Sequence, residues 1–398
     1  MRRRNLIWLS AVAAVLTAGC SPDATAPRAA PAVQTSNAAP SFWETGASLY
    51  WNGVALDLVV KYKSSPFAAV RGLALLSNAQ YQSTAASLGT TGKTRPSTTA
   101  AVARASAVAL AYLYPAETSA LDALVTEELS SPDWPGDKGS DIASGDAIGR
   151  AIAQQLVSDA TTDRFFAAWT GTVPTGPGIW FSTSTPPAPP VGAMFGLART
   201  YYMTSGDQFR PPPPPAFGSP EYLDALHEVR QVSDTRTAEQ LANALYWALP
   251  GGTVTPPGFW NVEAANLVAQ YRLSELAASH VLAVINKTGF DAIVACHDAK
   301  FFYWLIRPTQ ADPNINLAVA LPNFPSYPSD HACVSGAMTA VLGSFFPAEK
   351  TRLDALAEEA ARSRLEGGLH YRFDNETGLR LGRQVAGLAL SIEGPGRH

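Results

Sequence analysis

Twelve prolines fall between residues 171 and 220, five of them consecutive at 211–215. A proline has no amide donor, and its ring collides with the preceding helical turn. That segment is therefore neither an interior helix nor a central strand. It reads as an extended crossover, partly polyproline II, lying on the surface. Trp180, Phe181, Phe195, Tyr201 and Tyr202 would pin it to the body of the protein.

On either side of the crossover the pattern is helical. Ala- and Leu-rich stretches recur at three-to-four-residue spacing over 47–62, 67–87, 98–113, 119–129 and 146–158. The same spacing resumes over 220–249, 260–287, 291–306, 329–346, 348–364 and 369–392. Alternating β-branched runs are scarce, so the expected fold is all-α. Hydrophobic residues make up 46% and charged residues 16% of the 398, enough apolar material for a large core. The net charge of −4 does not suit a nucleic-acid binder. The expected organisation is a helical region at 42–170, the crossover at 171–220 and a second helical region at 221–398.

The N-terminus reads as an address. Arg2, Arg3 and Arg4 precede an apolar stretch from Leu6 to Ala18, the layout of a secretory signal. It ends in Leu16-Thr17-Ala18-Gly19-Cys20, which resembles a bacterial lipobox with Cys20 as the lipidated residue. Residues 1–19 would then be removed, and the Ala/Pro-rich stretch 20–41 would be a tether. The expected location is the periplasmic side of a bacterial membrane, with the outer membrane the site in a Gram-negative cell. Membrane contact would be through the lipid anchor only. An oxidising compartment permits a disulfide between the two remaining cysteines, Cys296 and Cys333, but the sequence does not place them within reach of each other.

Three segments carry chemistry. In the first, Lys300 and Arg307 are seven residues apart, with Pro308 following. Two turns of one helix would set both cations on one face. In the second, Pro328-Ser329-Asp330-His331 runs into a helical stretch, with Ser329 as a natural N-cap. Free amides and partial positive charge at such a helix start suit an oxyanion. In the third, Ser363-Arg364 is followed by a Gly367-Gly368 break, then His370 and Asp374. A carboxylate four residues on can hold one imidazole nitrogen and leave the other as nucleophile or ligand. Each segment alone has an ordinary structural reading: snorkelling cations, a capped helix, a surface pair. Together they supply three fixed cations, two imidazoles and a hydroxyl, a set suited to a phosphate-like ion. No zinc-like spacing and no P-loop glycine pattern is present.

This pattern, KxxxxxxRP, PSxH and SRxxxxxHxxxD, resembles that of the type 2 phosphatidic acid phosphatase and vanadium haloperoxidase superfamily. Trp51-Asn52, Asp207-Gln208-Phe209-Arg210 and Phe259-Trp260-Asn261 are similar to its larger bacterial haloperoxidase-type members. The resemblance implies two helical bundles and one of two chemistries. In the haloperoxidase branch His370 would bind vanadate covalently, and Lys300, Arg307 and Arg364 would neutralise its oxygens. Ser329 and a nearby backbone amide, that of Asp330 here, would donate to it. His331 would act as acid/base toward hydrogen peroxide, Lys300 would polarise the peroxide, and a halide would leave as hypohalous acid. In the phosphatase branch His370 would attack the phosphorus of a phosphomonoester, His331 would protonate the leaving group, and Asp374 would orient His370. A non-catalytic oxyanion-binding lipoprotein is the third reading.

Two positions depart from the family pattern. Asp330 stands where glycine is usual and adds negative charge beside an anion site. At ~5 Å and an effective dielectric of ~20, one like charge costs about 3 kcal/mol. His297 stands where chloroperoxidase-like members tend to carry Trp in the halide pocket, whereas Phe324 matches their aromatic residue there.

Overall fold

The computed structural model describes residues 46–92, 95–131 and 139–396. The expected signal, the lipidation residue Cys20 and the tether lie outside these residues. The fold is all-α. The described residues contain thirteen α-helices and no strand beyond two isolated bridges.

Before the crossover come α1 (Ala47–Lys61), α2 (Pro66–Gly89), α3 (Thr98–Leu113), α4 (Thr118–Leu129) and α5 (Gly139–Ala160). After it come α6 (Pro220–Asp234), α7 (Ala238–Tyr246), α8 (Thr255–Gln270) and α9 (Glu275–Tyr303). The last four are α10 (Pro308–Ala311), α11 (Asp330–Phe345), α12 (Lys350–Glu366) and α13 (Arg372–Glu393).

Helix α9 organises the molecule. Its 29 residues span about 44 Å, and nearly every side chain from Ala278 to Lys300 is buried. A helix buried all round belongs in the middle of a protein. One side packs on α2, which packs in turn on α3, and α3 on α5. The other side packs on α11 and α13. One continuous apolar core, from Trp51 and Leu73 through Ile293 to Val341 and Val385, joins the two groups.

The sequence expectation of a break at 288–290 is corrected: α9 runs straight through it. Gly289 is there for packing, since an added Cβ would come within 3.1 Å of the Met338 thioether on α11. The break lies instead at 271–274, where Arg272 has positive φ and Ser274 caps α9. The expected single segment at 220–249 is divided, because Thr237 and Gln240 form a capping box that starts α7 anew.

The crossover holds no α-helix, as its prolines dictate. Trp180 and Phe195 are buried and anchor it, whereas Phe181 and Tyr201 remain exposed. Proline keeps its carbonyl, and the segment uses it. Tyr303 and Tyr327 hydroxyls donate to Pro211 O and Pro212 O, both at 2.7 Å. Asp291 on α9 accepts the backbone amides of Tyr201, Tyr202 and Met203 at 2.9, 2.8 and 3.2 Å. Arg210 forms a two-pronged pair with Asp298 at 2.7 and 2.9 Å.

Candidate active site

The three motif segments meet where the C-terminal end of α9, the start of α11, the end of α12 and the start of α13 converge. Two local details differ from the helical reading. Helix α9 ends at Tyr303, because Trp304 takes a left-handed conformation. The strip that follows Trp304 leaves the helix, with Leu305 bridged to Ile179 and Arg307 extended, and it pairs on both sides: Trp180 N donates to Trp304 O, Ile306 N to Gly178 O and Ser326 N to Leu305 O. Arg307 is therefore not on the helix of Lys300; it enters the site from this extended strip. His370 likewise precedes α13 instead of sitting on it, and reaches Asp374 at the third helical position.

His370 is held from both ring nitrogens. Nδ1 lies 2.8 Å from Asp374 Oδ2 and Nε2 lies 2.9 Å from Arg307 Nη1. A guanidinium only donates, so Nε2 carries the lone pair and Nδ1–H donates to the carboxylate. Burial, with Arg307 and Lys300 beside it, holds His370 well below its ordinary value, so the ring is neutral. Asp374 is fixed in turn by the Ser326 hydroxyl at 2.5 Å and the Tyr371 amide at 3.3 Å. Its burial raises its carboxyl to about 6, still ionised at neutral pH.

Arg307 is fully buried. Nε donates to Phe324 O at 3.0 Å, Nη1 also to Leu369 O at 3.1 Å, and Nη2 has no partner. Arg364 donates from Nε to Ser363 Oγ and from Nη2 to Ala244 O, each at 2.9 Å. Burial lowers Arg307 to about 10 and Arg364 to about 9, so both stay cationic at neutral pH.

Ser329 occupies the N-cap position of α11, but its hydroxyl makes no capping bond and is buried without a partner. The sequence expectation is right in position and wrong in bond. Lys300 is fully buried, and its ammonium donates to the carbonyls of Pro325 at 3.1 Å, Ser326 at 3.0 Å and Pro328. Three carbonyls take its three hydrogens, and Asp330 Oδ1 lies 3.7 Å away. In this arrangement Lys300 clamps the 325–328 loop as well as lending its charge.

His331 sits in the first turn of α11. Its Nε2 lies 2.9 Å from Trp247 O, which can only accept, so Nδ1 bears the lone pair. Burial and the Arg364 guanidinium press His331 down to about 3. His297 is buried, its Nδ1 lying 3.0 Å from Gly192 O in the crossover. Its ring stands among Phe67, Phe195, Phe301 and Phe324 at centroid distances of 5.0, 4.9, 5.9 and 5.6 Å. Phe324 lies under both cations, with Lys300 Nζ 5.2 Å and Arg307 Cζ 5.0 Å from its centroid. Cys296 and Cys333 are free and buried; the Cys296 thiol donates to Asp330 Oδ1 at 3.1 Å.

Above these residues opens a cavity of about 590 Å³. Its polar lining consists of Asp330, His331, Arg364 and His370; the rest is apolar, including Pro66, Phe67, Pro256, Val319 and Phe324. Sequence reasoning missed Ser326, Trp247 and Gly192, which hold Asp374, His331 and His297. Ser326 lies inside the second motif segment; Trp247 and Gly192 act through backbone carbonyls, which leave no signature in a sequence.

Two buried donors left without partners, Arg307 Nη2 and Ser329 Oγ, describe the ligand. Beside them His370 Nε2 carries a lone pair that accepts from Arg307 Nη1, and the surrounding charge is mostly positive. Such a set could hold an oxyanion whose central atom takes a nitrogen ligand, and the donor chemistry suits vanadate.

Residues 277–395 match the PAP2 superfamily, a span that contains all three motif segments. The vanadium chloroperoxidase of Curvularia inaequalis is 28% identical over 199 residues, covering 38% of this chain. The match spans about a third of that relative's length, 32%. A bacterial vanadium-dependent iodoperoxidase structure superimposes with a TM-score of 0.74 at 23% identity, covering 88% of this chain and 96% of that one. A bacterial vanadium-dependent chloroperoxidase in its apo form gives 0.66 at 15% identity, covering 81% and 92%. The C-terminal part of the chain thus matches the PAP2 superfamily, and the chain shares the helical fold of the vanadium-dependent haloperoxidase structures.

Proposed function

We propose that the protein is a vanadate-dependent haloperoxidase, oxidising halide with hydrogen peroxide. The observation that carries this reading is the fixed tautomer of His370: Nδ1–H on Asp374 and an unprotonated Nε2 that faces Arg307 Nη1, next to unpartnered donors. Vanadate would be held by His370 Nε2, the Arg307 and Arg364 guanidinium groups and the Ser329 hydroxyl. When bound, it would supply the Lewis-acidic centre that makes peroxide electrophilic toward halide. His331 is neutral with its Nδ1 lone pair free to accept a hydrogen bond from hydrogen peroxide, and a bound anion that offsets the Arg364 charge would raise its basicity. Asp374 holds the tautomer, and Lys300 fixes the loop that carries Ser329. Phe324 and His297 would form the halide side, where an imidazole replaces a purely aromatic wall.

The whole-chain likeness to haloperoxidase structures, N-terminal helices included, favours this branch over a phosphatase. Asp330 favours the alternative, a phosphatase working through a phosphohistidine at His370. The two separate in one experiment. Purified protein is assayed for peroxide-dependent bromide and iodide oxidation with orthovanadate, and for aryl phosphate hydrolysis without it. Vanadate-dependent halide oxidation is expected; phosphate release alone would make the protein a phosphatase. We also propose export and acylation at Cys20, tested by Cys20→Ser, which should release the protein from the membrane fraction.

A further inference from the structure

Asp330 turns its side chain into the site instead of out to solvent. Oδ1 accepts from the Cys296 thiol and faces His297 Nε2 at 3.5 Å and Lys300 Nζ at 3.7 Å. Oδ2 is buried and has no partner. Asp330 shares the cavity floor with His331, Arg364 and His370, and lies next to Ser329 at the start of α11.

The floor and the residues that back it therefore hold two kinds of unsatisfied group. Arg307 Nη2, behind His370, and Ser329 Oγ–H, next to Asp330, want an acceptor, and Asp330 Oδ2 wants a donor. A tetrahedral oxyanion with no proton satisfies the first two and meets the carboxylate oxygen with lone pair against lone pair. An oxyanion that keeps one proton satisfies all three.

We propose that Asp330 makes this site selective for oxyanions that carry a proton, such as hydrogen phosphate and hydrogen vanadate, over fully ionised ones of the same shape, such as sulfate. The inference rests on the oxyanion reading of the site and adds what that reading lacks, a rule for which anion enters. A dianion of either kind meets the same charge; what separates them is the carboxylate oxygen left facing an acceptor instead of a donor, which disfavours the unprotonated anion by up to roughly 100-fold.

Isothermal titration of the full chain at pH 7 with sodium phosphate and with sodium sulfate tests this. Wild type is expected to bind phosphate at least ~10-fold more tightly than sulfate. Asp330→Asn replaces the bare acceptor with an amide that can donate, and should bring the two within about threefold, mainly through a gain in sulfate affinity. Asp330→Gly is the second variant and should narrow the ratio in the same direction. Equal binding of both anions by wild type overturns the proposal, as does an unchanged ratio in the variants. The wild-type ratio decides even where a variant fails to fold. Phosphate binding without discrimination removes only the selectivity; binding of neither anion removes the oxyanion reading as well.

Discussion

His370 shows how a buried imidazole is given a direction. Asp374 takes one nitrogen and Arg307 faces the other, so protonation of Nε2 would set two cations against each other in a dry site. Asp374→Asn can present its amide N–H₂ to Nδ1 and favour the opposite tautomer. We expect a loss of at least ~100-fold in kcat/KM for that variant, with the fold intact by circular dichroism. His331 makes a stability prediction. Its folded value is near 3 against an ordinary 6.5, so the unfolded chain takes up the proton first as pH falls. Its contribution is complete above about pH 6.5 and is lost progressively down to about pH 3. His331→Gln removes that term, so urea denaturation should show wild type losing more stability than the variant by up to ~1.4 kcal/mol per pH unit across that window. At this scale the grouping of the motif residues was legible, because three cations, two imidazoles and a hydroxyl taken together suit an oxyanion. Their bonds were not. The carbonyl clamp on Lys300 and the extended approach of Arg307 depend on backbone from other segments.

At the scale of elements, the site depends on how closely α11 meets α13. Small residues set that approach. A Cβ on Gly378 would stand 2.7 Å from both Ser329 O and Ala332 Cβ, and one on Gly382 would overlap Cys333 O. Gly336 answers from α11, where a Cβ would come within 2.6 Å of Leu379 O. Ser329 N donates to Asp374 O at 3.1 Å across the same contact, so a shift here moves the hydroxyl and the carboxylate together. Gly378→Ala should cost about 1–3 kcal/mol in urea denaturation and weaken phosphate binding in the same sample. Unchanged binding would show that the helix contact does not position the site. The helices themselves were largely readable from apolar spacing, and their errors lie at single residues whose role depends on tertiary contacts or caps. Gly289 reads as a break in a sequence, but here it is a seat for Met338. The crossover was readable as non-helical and surface-lying; its route was not, because its anchors are proline carbonyls.

At the scale of the whole molecule, the N-terminal helices are part of the site's support. Phe67 on α2 lines the cavity and packs against His297 and Phe324, so α2 and α9 together form the apolar wall. Both described cysteines are free thiols, and a reducing agent should leave Tm unchanged within about 1 °C. A larger fall would mean a disulfide formed during export. The account's central claim is that His370 anchors an oxyanion in this fold. Equilibrium dialysis of the purified protein against orthovanadate, followed by vanadium analysis, tests it most directly. The account predicts one vanadium per chain in wild type and none in His370→Ala. A wild type that retains no vanadium, or a His370→Ala variant that retains as much, would contradict it.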